Sequence, residues 1–141
     1  VDIKVKYFNP KCKLEINPKG DWIDLRSAAH FKYEQGEVFK IPLGVAIQLP
    51  SGYEAHIVPR SSTFDKFGLI QLNHMGVVDE SYCGDNDQWR MSVLAMKDGE
   101  IHEGDRICQF RIIEKMPPLT IQEVERLGNP DRGGFGSTGV K

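Results

Sequence analysis

Apolar and polar positions alternate along this chain in short runs. Ile3 to Phe8 interleaves apolar residues with Lys4 and Lys6, and Leu43 to Leu49 is a run bounded by Pro42 and by the turn Pro50-Ser51-Gly52. Glu54 to Val58, Leu69 to Leu72, Val77 to Tyr82, Met91 to Met96, Ile107 to Ile113 and Thr120 to Val124 complete the set. Most of these runs stop at Gly, Pro, Asp or Asn, residues that punctuate strands. The pattern predicts an all-β domain, a jelly-roll-like sandwich. Helical character is confined to Ser61 to Phe67, one or two turns with a hydroxyl cap at the start and Gly68 at the end.

Asn129-Pro130-Asp131 reads as a hinge, dividing a folded domain over residues 1–128 from a mobile arm over residues 129–141. The arm reads Arg132-Gly133-Gly134-Phe135-Gly136-Ser137-Thr138-Gly139. Four glycines cannot support a helix or a packed core, but they bring backbone N–H groups close to an anion. A phosphate loop is normally followed by a helix whose N-terminus faces the phosphates. Only Val140 and Lys141 follow here, so such a segment would fold over a site built elsewhere.

At 141 residues, 40% hydrophobic and 27% charged, the chain is one ordinary globular domain. A net charge of −2 leaves no basic surplus for general nucleic-acid binding. No apolar run reaches membrane-span length and no signal-peptide pattern opens the sequence. Cys12, Cys83 and Cys108 are odd in number and widely spaced, which reads as reduced thiols of a cytoplasmic protein. His30, His56, His74 and His102 show no metal-ligand spacing.

Four stretches carry candidate chemistry. Pro59-Arg60-Ser61-Ser62 joins a strand to the short helix, placing a guanidinium fork beside hydroxyls and N–H groups, which suits a polyphosphate. In Gly76-Val77-Val78-Asp79-Glu80-Ser81-Tyr82-Cys83-Gly84, a continuous strand would point Asp79 and Tyr82 to opposite faces. A bend at Glu80-Ser81 would bring a proton-accepting carboxylate and a supporting ring into one pocket. In Gly104-Asp105-Arg106-Ile107-Cys108-Gln109-Phe110, alternation puts Ile107, Gln109 and Arg111 on one face and Cys108 and Phe110 on the other. Gln109 then needs hydrogen-bond partners, and Arg106 can pair with Asp105. Asp24, between apolar neighbours, is either capped by backbone donors or faces a cation.

In this order, with Asp24-Leu25 first and the arm last, these motifs resemble those of the trimeric deoxyuridine triphosphatases (dUTPases) over essentially the whole chain. The likeness is greatest to the form of Gram-positive bacteria and their phages. The resemblance implies a β-sandwich of dUTPase, or β-clip, type, assembled as a homotrimer with sites shared between subunits. It implies hydrolysis of dUTP to dUMP and pyrophosphate with Mg²⁺, which keeps uracil out of DNA and supplies dUMP. Asp79 would be the general base for water attack at the α-phosphorus. Asn73 and backbone groups of Gly76, Val77 and Val78 would read uracil, Tyr82 would stack on deoxyribose, and Phe135 would cover the base. Arg60, Ser61, Ser62, Gln109, Arg132, Gly136, Ser137 and Thr138 would hold the phosphates, and Asp24 would touch Mg²⁺ through water.

The connection Asp85-Asn86-Asp87-Gln88-Trp89-Arg90 is longer and more acidic than the family's usual one. Two other readings compete: a dCTP deaminase or bifunctional relative of the same fold, and a nucleotide-gated module that contacts a regulatory protein. Asp79 with Tyr82, and the Phe135 arm, favour the hydrolase.

Overall fold

Strands form where alternation gives the chain one apolar face and turn residues follow it. A computed structural model, describing residues 1–134 and residue 136, contains eleven among those residues. They are β1 (Lys4–Tyr7), β2 (Ile23–Arg26), β3 (Phe31–Tyr33), β4 (Val38–Pro42), β5 (Val45–Gln48) and β6 (Tyr53–Pro59). Then follow β7 (Leu69–Gln71), β8 (Gly76–Val78), β9 (Arg90–Ala95), β10 (Gly99–Ile101) and β11 (Arg106–Glu114). One helix, α1 (Thr63–Phe67), and a 3₁₀ turn at Pro10–Cys12 interrupt them. Gly68 ends α1 at φ 64°, a left-handed conformation that a side chain disfavours, and its N–H closes the last turn on the Phe64 carbonyl.

The strands pair antiparallel in sheets ordered β2-β11-β6-β8 and β4-β9-β7, with two ribbons, β1-β5 and β10-β3. Leu25, Ala55, Ile57 and Phe110 from the first sheet share a core with Ile41, Leu69, Met91 and Val93 from the second. This is the expected all-β, jelly-roll-like architecture with one short helix.

Four expectations are corrected. The strand expected over Val77 to Tyr82 ends at Val78, because a turn takes over at Asp79. Thr120 to Val124 forms no strand, and residues 116–134 are exposed. Ile107 does not share the face of Gln109: the β2–β11 register slips between Arg106 and Cys108, and this bulge buries Ile107 and Cys108 together. Strands β2, β3, β4 and β10 join the set read from the sequence.

The Asp85–Arg90 connection carries a core residue. Trp89 is buried, meets Phe110 edge-on with ring centroids 5.0 Å apart, and exchanges backbone hydrogen bonds with Val45 and Leu43. Cys12 and Cys108 are buried and Cys83 is exposed; none is in a disulfide. Burial holds the Cys108 thiol far above its usual range, so it is an inert core group.

Trp89→Ala removes a filled core position and its aromatic partner. It should destabilise the protein by about 3–5 kcal/mol, read as a lower urea midpoint at fixed protein concentration.

Candidate active site

The first group of functional side chains gathers where β6 gives way to α1. Thr63 organises this turn: its Oγ1 accepts the Arg60 N–H at 2.9 Å and donates to the Ile107 carbonyl at 2.9 Å. The hydroxyl cap expected at the start of the helix is not made: Ser62, at the N-cap, forms no side-chain cap bond, and the Thr63 hydroxyl instead closes the turn that precedes the helix. With its backbone fixed, Arg60 places Nε 3.0 Å from Asp24 Oδ1. Arg106 Nη1 approaches Asp24 Oδ2 at 3.8 Å. The cations that Asp24 faces are thus guanidinium groups. Asp105 does not pair with Arg106, because its carboxylate accepts the His102 N–H at 2.9 Å.

Gln109 stands opposite Asp24 in the β2–β11 register, and its Nε2 donates to the Pro59 carbonyl at 3.1 Å, supplying the partner a half-buried amide needs. Arg26 and Lys66 join Arg60 and Arg106 around a cleft of about 380 Å³, a concentration of positive charge fit for a polyanion. The sequence reading missed Arg26, although its place two residues after Asp24 on β2 puts both on one face of the sheet.

The second group lies beside β8. A cleft of about 440 Å³ is lined by Asn73, Gly76, Val77, Val78, Asp79 and Tyr82, with Trp89 behind them. The volume suits a small organic ligand. A Cβ on Gly76 would press to 3.1 Å of Ile57 Cβ and stand 3.7 Å from the Asn73 and Gln71 amide nitrogens. Glycine there keeps open the space in front of those polar groups. The bend falls at Glu80-Ser81 as expected, closed by the Tyr82 N–H donating to the Asp79 carbonyl at 3.0 Å, and it brings Asp79 and Tyr82 into one cleft. Gln88 also holds the ring, its carbonyl accepting from the Tyr82 hydroxyl at 3.2 Å.

Asp79 is set up to remain ionised. The Ser81 N–H donates to its Oδ1 at 2.8 Å, and with the Ser81 side chain and the Lys115 charge it holds the carboxyl below its ordinary range. Lys115 is itself fastened, its Nζ donating to Glu80 Oε1 at 2.7 Å while the Gly52 N–H donates to Oε2 at 2.9 Å. This exposed pair contributes little to stability, but it keeps a positive charge next to Asp79.

The two groups do not meet within one chain. Ala55 pairs with Val78, which puts Asp79 level with Glu54, whereas Arg60 follows the far end of β6. Six residues at about 3.3 Å each separate them by about 20 Å along the strand. Asn73, Gly76, Val77, Val78, Asp79 and Tyr82 come together in one cleft, and Asp24, Arg60 and Gln109 in another place. Arg132 is exposed and its guanidinium donates to the Gly133 carbonyl at 3.4 Å. Gly136 is exposed at φ 84°, and Phe135, Ser137 and Thr138 lie outside the described residues.

The dUTPase family profile matches residues 3–139. The SPbeta prophage-derived deoxyuridine 5′-triphosphate nucleotidohydrolase YosS of Bacillus subtilis (strain 168) is 55% identical over 142 residues, covering 100% of both chains. A deoxyuridine 5′-triphosphate nucleotidohydrolase of Neorickettsia sennetsu is 37% identical, over 84% of this chain and 81% of its own. Among solved structures, a variant of the Staphylococcus bacteriophage 80alpha dUTPase with dUpNHpp superposes with a TM-score of 0.80 at 21% identity, covering 99% of each chain. A variant dUTPase from phage phi11 of S. aureus, described with a structural Mg(II) ion, gives 0.74 at 20% identity, over 90% of this chain and 99% of that one. The fold agrees with both.

The Asp79 carboxyl should titrate below the ordinary aspartate range in a ¹³C NMR pH series, and Lys115→Met should move it upward. Its depressed value means that the ionised state is favoured at neutral pH and lost as pH falls through that value. Titration at or above the ordinary range in wild type would contradict the arrangement.

Proposed function

Because this chain belongs to the dUTPase family and hydrolyses dUTP, we propose that Asp79 is its general base and that each site is assembled from more than one subunit of a homotrimer. The observation that carries this reading is the separation of the Asp79 cleft from the Arg60 cluster at opposite ends of β6. A dUTP molecule spanning base to γ-phosphate needs both, and a second copy of the chain brings them together. Closed cyclic assembly repeats the same junction at every interface.

In that site, uracil enters the cleft beside Gly76, where Asn73 and the β8 backbone meet its polar edge. A cleft that must pair buried polar groups rejects a base lacking the matching donors and acceptors. Tyr82 lies against the deoxyribose and leaves no room for a 2′-hydroxyl. Asp79, kept ionised by Ser81 and Lys115, orients a water and takes its proton as the oxygen attacks the α-phosphorus. The bond from that phosphorus to its bridging oxygen breaks, and pyrophosphate leaves with the electron pair. Arg60, Ser61, Ser62 and Gln109 hold the phosphate chain, with Arg26 and Arg106 adding charge at its side.

Mg²⁺ bound to the triphosphate would neutralise part of its charge. Asp24 fits an outer contact to such an ion: a carboxylate has about four lone-pair sites, and Arg60 and Arg106 approach from only two directions. Magnesium commonly keeps several waters and takes inner ligands from phosphates, so no carboxylate cage is required.

The arm over residues 129–141 completes the site of another subunit. Phe135 stacks over uracil, and Arg132, Gly136, Ser137 and Thr138 hold the terminal phosphate. Exposed Leu119, Ile121 and Val124, before the arm, fit the same reading, since they have apolar side chains to bury on a neighbour.

The test is pyrophosphate release from dUTP with Mg²⁺, beside dCTP, dTTP and UTP. Wild type should turn over dUTP alone and release no ammonia from dCTP. Asp79→Asn should lose about 10²–10⁴-fold in kcat while still binding nucleotide, and a chain ending at Asn129 should be strongly impaired. A folded wild type that binds dUTP without hydrolysing it would assign the cleft to sensing instead.

A further inference from the structure

The antiparallel register of β3 and β10 pairs Ile101 with Phe31, which brings His102 across from His30, each one residue beyond its strand. Glu100 lies two residues before His102 and shares its face of the ribbon. The result is a compact set of donors in place of the unconnected histidines read from the sequence. Ligand atoms of His30, Glu100 and His102 all lie within 4.8 Å of one another. His30 Nε2 is 2.7 Å from Glu100 Oε2, and His102 Nε2 is 3.8 Å from Glu100 Oε1. The two imidazole rings stand 5.2 Å apart between centroids.

We propose that His30, Glu100 and His102 form a surface site for a divalent transition metal such as Zn²⁺ or Ni²⁺. Three ligands about 2.0–2.2 Å from a tetrahedral ion lie roughly 3.3 Å from each other, between the 2.7 Å and 3.8 Å contacts that the two oxygens of Glu100 make with His30 and His102; the shorter is a hydrogen bond that the metal would replace. Two imidazoles and a carboxylate suit zinc, nickel or copper, whereas magnesium prefers oxygen donors throughout. The site is therefore chemically distinct from the metal that accompanies a triphosphate.

A second observation points the same way. The other ring nitrogen of His102, Nδ1, faces Asp105 Oδ2 at 3.9 Å, and Asp105 is itself held by the His102 N–H. Asp105 thus stands near the ring nitrogen that ligation through Nε2 leaves free, the place from which a carboxylate orients a ligating histidine. The ribbon that carries the ligands is only three residue pairs long, and a two-stranded ribbon is marginal alone. A metal bridging its two strands would fasten it, and the open fourth position would take water.

The test uses the full-length chain, untagged and stripped with a chelator, with Zn²⁺ and Ni²⁺ as calorimetric probes beside Mg²⁺. Wild type should bind one Zn²⁺ or Ni²⁺ per chain and unfold at a higher temperature in its presence. His30→Ala and His102→Ala should each weaken binding by about tenfold or more. The double variant should keep the wild-type unfolding temperature in chelator, since all three side chains are exposed, and bind no metal at this affinity. Wild type that takes up neither ion, or a double variant that retains wild-type affinity, would overturn the proposal.

Discussion

The antiparallel ladder of β6 with β8 and β11 is the constraint on which the functional arrangement depends. Paired strands are extended over this length, and no side chain reaches from one end to the other. Asp79 is tied to one end through β8, and Arg60 follows the other. Gln109 is pinned at the Arg60 end by its own register with Val58 and Asp24. Each chain thus offers two well-ordered halves, one that supplies a carboxylate and a base-sized cleft, and one that supplies cations. Oligomeric assembly is a chemical requirement of the reaction proposed here, in addition to any gain in stability.

Both halves are held by backbone geometry more than by ionic strength. Asp24 and Arg60 are only partly covered, so their pairing contributes modestly to folding. Its larger effect is to fix the direction of the guanidinium. Thr63 serves the same end from below, joining the Arg60 turn to the first residues of β11. At the other half, Glu80 and Lys115 tie the turn after β8 to the turn before β6, and the lysine charge remains beside Asp79.

Much of this was legible in the sequence, for identifiable reasons. Runs such as Val45–Gln48 and Met91 to Ala95 carry their own alternation or β-branching and have distinct ends, so local pattern sufficed. Strands β3 and β10 are three residues each, and their identity lies in a partner about seventy residues away, outside any local window. That same long-range register hid the His30, Glu100 and His102 cluster, and it hid Lys115 as the neighbour of Asp79. The bulge at Ile107 is likewise a property of two strands together. Thr120 to Val124 shows the converse: a strand-like pattern remains exposed and unpaired, because local alternation alone does not supply a partner strand.

The most direct measurement of the shared site mixes two inactive chains, Asp79→Asn and Arg60→Ala, by co-refolding, and assays dUTP hydrolysis. If Asp79 and Arg60 of one site belong to different subunits, every mixed trimer contains about one intact site in three, and activity returns on mixing. If mixing restores nothing although mixed trimers form, both residues act within a single chain, and the account of a site divided across β6 is wrong.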